Sequence, residues 1–377
     1  MTEDEKYLFL KGFIQNESAI IELLLYAENK FIPPKKGSSL LEDTYINTWE
    51  EYYQESKKIG AFETLKKNIP QLQFPVQKGI SKTENYINAT LKGKSKLVAP
   101  NLILHQSDLI KLELYNSDLI GKVPVIIVPN NDDFNSIVCA LSNKNEPQEL
   151  PKSMGALFIS GINNWGRIRQ LKTNWLKQNL TGNWHLYFKE QILPKPYLFK
   201  DKLMVLSTKE YSGVKNEVIE ITEDAWRDSS LIIRREHECA HVFTLKYYGC
   251  MANNIHDEII ADYAGITKVL GQFNKEWLLH FMGLENYPDY RKGGRLENYQ
   301  GQKKLSKEVF EGLKEIVKKV SNTIFEFDNM LGVIKSSTDK LNRIKSICEV
   351  DLITMASSIG VQELMIKYNR KEVAAVL

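Results

Sequence analysis

The sequence predicts an α+β protein in which mixed strands precede a long helix and helical regions extend from both ends. Three observations predict it. Apolar residues recur at helical spacing through residues 4–30 and 41–67, short β-rich runs begin near residue 97, and helical periodicity returns from Asp228 onward.

Taken in order, the first helical stretch is broken at IPPKKGSS, where Pro33, Pro34 and Gly37 end any helix. The β-rich runs are LVAPNLILH, KVPVIIVPN, GALFIS, NWHLYF, KLMVLS and EVIEI, separated by Gly, Asn and Pro, with a helix expected at 164–178. Asp228 or Ser229 is placed to cap a helix that runs to Tyr248, where Gly249 supplies the stop. A second helix is expected from near Asn254, and residues 304–333 carry an amphipathic stripe through Val309, Leu313, Ile316, Val317, Val320 and Ile324. No internal repeat or low-complexity tract is visible. Three regions result: 1–96, mainly helical; 97–303, α+β; and 304–377, helical.

Composition narrows the class. With 377 residues, 43% hydrophobic and 26% charged, the chain can bury a large core and reads as an ordinary globular protein. Fifty basic against 47 acidic side chains give a net charge of +3, too near balance to imply nucleic acid or a membrane as partner. The opening MTEDEKYLFLKGF lacks the order of a signal peptide, and no apolar run approaches the roughly 20 residues of a membrane span, so a cytoplasmic location is expected. Cys139, Cys239, Cys250 and Cys348 are widely spaced without a CxxC pair, which supports neither a disulfide framework nor a cysteine zinc knuckle.

The chemistry gathers in REHECAHVFTLKYYGCMANNIHDEIIADYAGI, residues 235–265. On a helix, His237 and His241 stand about 40° apart around the axis and about 6 Å apart along it, so both imidazoles leave one face and one cation can take a nitrogen from each. Glu238 lies beside that face, badly placed to ligate the same ion but within reach of a water on it. This is the physical content of H-E-x-x-H: two neutral zinc ligands and a carboxylate base. A third ligand is needed from an opposing element. After the turn-forming GCMANN, the second helix presents Glu258 and Asp262 on one face; Glu258 can return to the metal, and Asp262 can accept the second N–H of a ligating histidine.

HECAH followed by Glu258 and Asp262 resembles the HExxH and ExxxD pair of the gluzincin branch of zinc metallopeptidases, over about thirty residues. Cys239, Ala240, Val242 and Phe243 suit that family's uncharged surroundings. The resemblance implies a zincin-like catalytic region with His237, His241 and Glu258 as Zn2+ ligands, Glu238 as general base and Asp262 as partner of His237. It implies a metallopeptidase with a peptide or protein substrate, in which zinc polarises the scissile carbonyl and Glu238 moves the water's proton to the leaving amine. Two other classes keep the same ligands: a metal-dependent enzyme on a small non-peptide substrate, and a zinc-binding pseudoenzyme or scaffold. The oligomeric state is left open. KLMVLSTKEY, residues 202–211, is the best candidate for a substrate-binding edge strand.

Other features carry less. His256 and Asp257 are rival ligands but read better as first-turn helix residues, and His105, His185 and His280 stand alone. KGKS at 92–95 lacks the earlier glycine of a P-loop, since Asn88 stands there. GALFISGINNWGRIRQLK reads as a strand, a turn at Gly161 and a helix N-terminus serving as scaffold rather than as an anion site. The polar loop YPDYRKGGRLENYQG offers Tyr290, Arg291, Arg295 and Tyr299 as groups that can stabilise an oxyanion or grip a carboxylate.

Overall fold

In a computed structural model, which describes residues 1–33, 44–94, 101–151, 153–301 and 304–376, four strands form one sheet: β1 (Lys111–Ser117), β2 (Gly121–Val128), β3 (Ala156–Asn163) and β4 (Lys200–Ser207), in the order β1-β2-β4-β3. β1 and β2 make an antiparallel hairpin, β2 pairs with β4 in parallel, and β3 closes on β4 antiparallel. The parallel pair lies at the centre, where Val125, Ile126, Leu203, Met204, Val205 and Leu206 are wholly buried; such a strand needs both faces covered and reads as a continuous apolar run. Helices Ile46–Ile59, Ala61–Asn68 and Asn131–Ser142 contribute Trp49, Phe62, Leu65, Phe134 and Ile137 to the same core.

Grouped by proximity, the residues form two units. The sheet unit comprises Leu41–Ser117 and Gly121–Lys209; the other comprises Met1–Leu40, Asp118–Ile120 and Glu210–Leu377. These bounds cut across the three regions named from the sequence. The second unit is helical. Its centre is the helix Glu223–Tyr248, hereafter the histidine helix, lying against Ile255–Leu270, the carboxylate helix. Close approach depends on Gly265, because a Cβ there would meet Ile233 Cγ2 at 2.8 Å and the Ile233 carbonyl oxygen at 2.9 Å. Lys307–Leu331 buries the expected stripe, Val309 through Ile324, and extends it to Phe327. Glu3–Lys11 and Glu17–Tyr26 form the helical start of this unit.

The mixed α+β class stands, with corrections to its elements. β1 is absent from the sequence reading: its alternation of Leu112 and Leu114 with Lys111 and Glu113 suits an edge strand with one covered face, and its polar half masks the apolar one. NWHLYF is helical instead, as Trp184–Tyr187 running into Phe188–Ile192, because Asn183 caps it and its aromatics fall on one packed face. EVIEI forms a single helical turn, Asn216–Ile219, ended by Glu220 at φ 59°. Residues 101–105 of LVAPNLILH are not a strand; its residues 97–100, Ser95 of KGKS, and Pro34 and Gly37 lie outside the described residues. Gly161 lies within β3 at a register shift rather than in a turn. The proposed edge strand at 202–211 is corrected as well, since β4 pairs on both sides and offers no free backbone edge. No helix among the described residues is long and apolar enough to cross a membrane.

Candidate metal centre

Thr222, not Asp228 or Ser229, caps the histidine helix by accepting the Ala225 N–H, and Gly249 ends it in the left-handed conformation at φ 72°. Asn254 caps the carboxylate helix, where its side chain accepts the Asp257 N–H. These two caps set the register in which the motif residues face each other.

His237, His241 and Glu258 converge. The two Nε2 atoms lie 3.1 Å apart, His237 Nε2 is 3.3 Å from Glu258 Oε2, and His241 Nε2 is 3.5 Å from Glu258 Oε1. Ligand atoms around tetrahedral zinc, with bonds near 2.0–2.1 Å, are separated by about 3.3 Å, so the donor set fits such an ion. All three side chains are buried, at 8%, 8% and 5% exposure for His237, His241 and Glu258.

Behind the donors stands a set of orienting groups. His237 Nδ1 is 3.0 Å from Asp262 Oδ1 and 2.9 Å from the Tyr211 hydroxyl, while Tyr211 donates to the same Asp262 oxygen at 2.6 Å. His241 Nδ1 lies 3.3 Å from Asp257 Oδ1; Asp257 is itself held by the Asn253 N–H and the Thr244 hydroxyl. With each Nδ1 facing a carboxylate, each Nε2 is turned toward the centre, the usual arrangement of a metal-ligating imidazole.

Arg295 completes this layer. It enters from a 3-10 turn, Arg295–Tyr299, at the end of a loop closed where the Gly283 and Gly294 backbones touch; a Cβ on Gly294 would meet Gly283 Cα at 2.6 Å. Its guanidinium donates to Tyr211 Oη at 2.7 Å, to Ser212 Oγ at 3.0 Å, to both Asp262 oxygens and to Glu258 Oε2 at 3.2 Å. Ser212 reaches it from a left-handed backbone conformation, φ 54°, a strained geometry for a residue with a side chain. Tyr26 ties the arrangement to the N-terminal helices: its hydroxyl donates to the Tyr299 carbonyl at 2.6 Å and accepts the Ile255 N–H at 3.1 Å.

The charges oppose burial. Burial alone pulls His237 and His241 down, but Asp262 and Glu258 raise the first and Asp257 and Glu258 carry the second well above its ordinary value. Burial pushes Glu258 up, and the two histidines override it, holding the carboxyl well below its usual range. Asp262, pushed up by burial, is brought below normal by Arg295 and His237. Glu238 differs. It is half-buried, makes no hydrogen bond to a described residue, and burial raises its carboxyl above the ordinary value against the pull of both histidines.

Of the residues expected at a site, His237, His241, Glu258 and Asp262 come together as the spacing required, and Glu238 stands beside both histidines. Asp257 is not an idle first-turn residue, since it faces His241. His256 is elsewhere, with Nε2 at the Ile347 carbonyl and its ring edge-on to Phe31. Among the loop candidates, Arg295 and Tyr299 reach Glu258, whereas Tyr290 bonds the Gly294 carbonyl and Arg291 bonds Glu285 and the His280 carbonyl, fixing the loop itself. Tyr211 had no signal in the sequence. It stands 26 residues before His237 on a different element.

In comparison with known proteins, residues 8–359 match the model of DUF7005, described as a family of unknown function. No curated protein and no solved structure matches the chain.

Proposed function

The chain belongs to the DUF7005 family, and from its site we propose that it is a zinc-dependent hydrolase of the zincin type, a metallopeptidase that cleaves amide bonds. The observation that supports this reading is the convergence of His237 Nε2, His241 Nε2 and the Glu258 carboxylate beside a Glu238 that makes no hydrogen bond to a described residue. When bound, zinc supplies a Lewis acid and a water acidic enough to react near neutral pH. The protein's own residues do the rest. Asp262, with Tyr211, and Asp257 hold the two imidazoles in the tautomer that leaves Nε2 free. Glu238, its carboxyl raised by burial, accepts the proton of the attacking water and returns it to the leaving nitrogen. Tyr299, half-buried and within hydrogen-bonding reach of Glu258, serves as a donor to developing negative charge.

Burial of all three ligands, and the Arg295 bridge to Glu258, favour a second reading in which the metal only stabilises the fold. One experiment separates them: metal analysis of the purified full-length chain combined with cleavage of a peptide library. Stoichiometric zinc with cleavage that is lost in Glu238→Gln supports the hydrolase. Stoichiometric zinc, no turnover, and a fall in unfolding midpoint on chelation select the structural site.

A further inference from the structure

Between β3 and β4 the chain builds a helical lobe from Trp165–Gln178, the segment Trp184–Ile192 and the turn Pro196–Leu198. It has its own small core. Ile168, Ile192 and Phe199 are buried, with Trp165, Trp184 and Phe188 packed on them, and Trp175 stacks on Tyr187 with centroids 4.9 Å apart. The indoles and Phe188 are therefore turned inward, and Tyr197, 61% exposed, is the aromatic left on the outside.

The outer surface of the lobe is unusual in two respects. Leu180 is 88% exposed, and Leu186 and Leu193 are each about half exposed, at 50% and 51%. On the segment 184–192 and its continuation, Leu186, Lys189 and Leu193 follow i, i+3, i+7 spacing, an outward stripe opposite the packed Trp184, Phe188 and Ile192. Charge is concentrated in the same place. Residues 165–200 contain seven basic side chains against one acidic, Glu190, a net +6 in a chain whose whole net charge is +3. Arg169, Lys172, Lys177, Lys189, Lys195 and Lys200 are all exposed, and only Arg167 is buried, on Asp201.

We propose that this lobe is a peripheral docking surface for an anionic lipid bilayer. The lysines and Arg169 face the headgroup phosphates, and Leu180, Leu186 and Leu193 enter the boundary between headgroups and acyl chains. The combination selects lipid over nucleic acid. Basic residues serve either partner, but a nucleic acid stacks its bases on a row of aromatic faces, and the lobe offers one exposed tyrosine, Tyr197, against three exposed leucines while its indoles pack on one another. The attachment lies on the membrane and does not span it, and it is independent of the metal centre.

The test is co-flotation of the full-length protein with vesicles of phosphatidylcholine alone or with about a third phosphatidylserine. The protein should float with the anionic vesicles only, and less so as salt is raised. Lys189→Gln should lower the partition about fivefold, and the double change Leu186→Ser with Leu193→Ser at least about tenfold, with the far-UV spectrum unchanged. Leu180→Ser, in the loop between Gln178 and Trp184, gives a loss that cannot come from a broken helix. Failure to float with anionic vesicles, equal partition of the leucine variants, or capture of a single-stranded oligonucleotide in place of vesicles overturns the proposal.

Discussion

His241 has a carboxylate on each side, Asp257 at Nδ1 and Glu258 at Nε2, and this sets what a single substitution should do. Removing a ligand deletes a bond to the metal, while removing an orienting carboxylate loosens a ligand and costs about 10–100-fold in affinity or activity. Zinc titration should therefore rank Glu258→Ala as far weaker than Asp262→Ala, with Asp257→Ala grouped with Asp262→Ala and His256→Ala indistinguishable from the parent. A reversed order, with Asp262→Ala the most damaged, would mean an aspartate ligand in place of Glu258. Glu238→Gln should keep its zinc and lose turnover; full activity in the metal-replete variant would remove the hydrolase mechanism. The raised histidines also predict a pH effect. A histidine with a raised value holds its proton below that value, and metal must displace it, so zinc affinity should fall as pH falls through the range above about 6.5. At neutral pH binding should release protons, measurable by calorimetry in buffers of different ionisation enthalpy; release of none would show the histidines to be already neutral.

At the scale of elements, the site depends on how closely the histidine and carboxylate helices approach. Gly265 permits it, and Gly265→Ala would drive a methyl group against the Ile233 carbonyl, backbone that cannot swing aside. The variant should lose about 1–3 kcal/mol in denaturant unfolding and bind zinc more weakly, although no ligand has changed. A second helix contact carries charge: Arg343, 1% exposed at its side chain, bonds Asp339 and Asp328 and so joins Lys307–Leu331 to Ser337–Cys348. Arg343→Met should cost about 3–5 kcal/mol by leaving Asp328 buried without its cation, read from the shift in urea midpoint. Both helices of the motif were legible beforehand because their signals are local: 3.6-residue periodicity, a glycine stop, an asparagine cap. The strands were legible where burial on both faces made an unbroken apolar run, as in β2 and β4. β1 was lost to its polar half, and NWHLYF misled because aromatic content favours a strand while the packing of Trp184, Phe188 and Ile192 requires a helix. Asp257 was visible yet read as a helix-end residue, and Tyr211 and Ser212 reach the centre only through tertiary structure.

For the molecule as a whole, the near-zero charge balance averages a contiguous basic stretch, residues 165–200 at net +6, with a remainder at net −3. The candidate metal centre lies within one unit, built from Met1–Leu40, Asp118–Ile120 and Glu210–Leu377. A ligand that binds only the folded state at a hundred times its dissociation constant adds about 2.7 kcal/mol, so saturating zinc should raise the unfolding midpoint and slow hydrogen exchange in residues 223–270. Unchanged exchange there would place any bound metal elsewhere. That same unit is discontinuous along the chain, which has a consequence for the order of events during synthesis. Tyr26 finds its partner Tyr299 across 273 residues. At roughly 5–20 residues per second, the N-terminal helices leave the ribosome about 15–55 seconds before the turn they must hold. The sheet unit emerges in the interval, while the histidines and carboxylates wait for Arg295 to be made. A nascent chain stalled before residue 295 should therefore hold zinc weakly even with all three donors already translated.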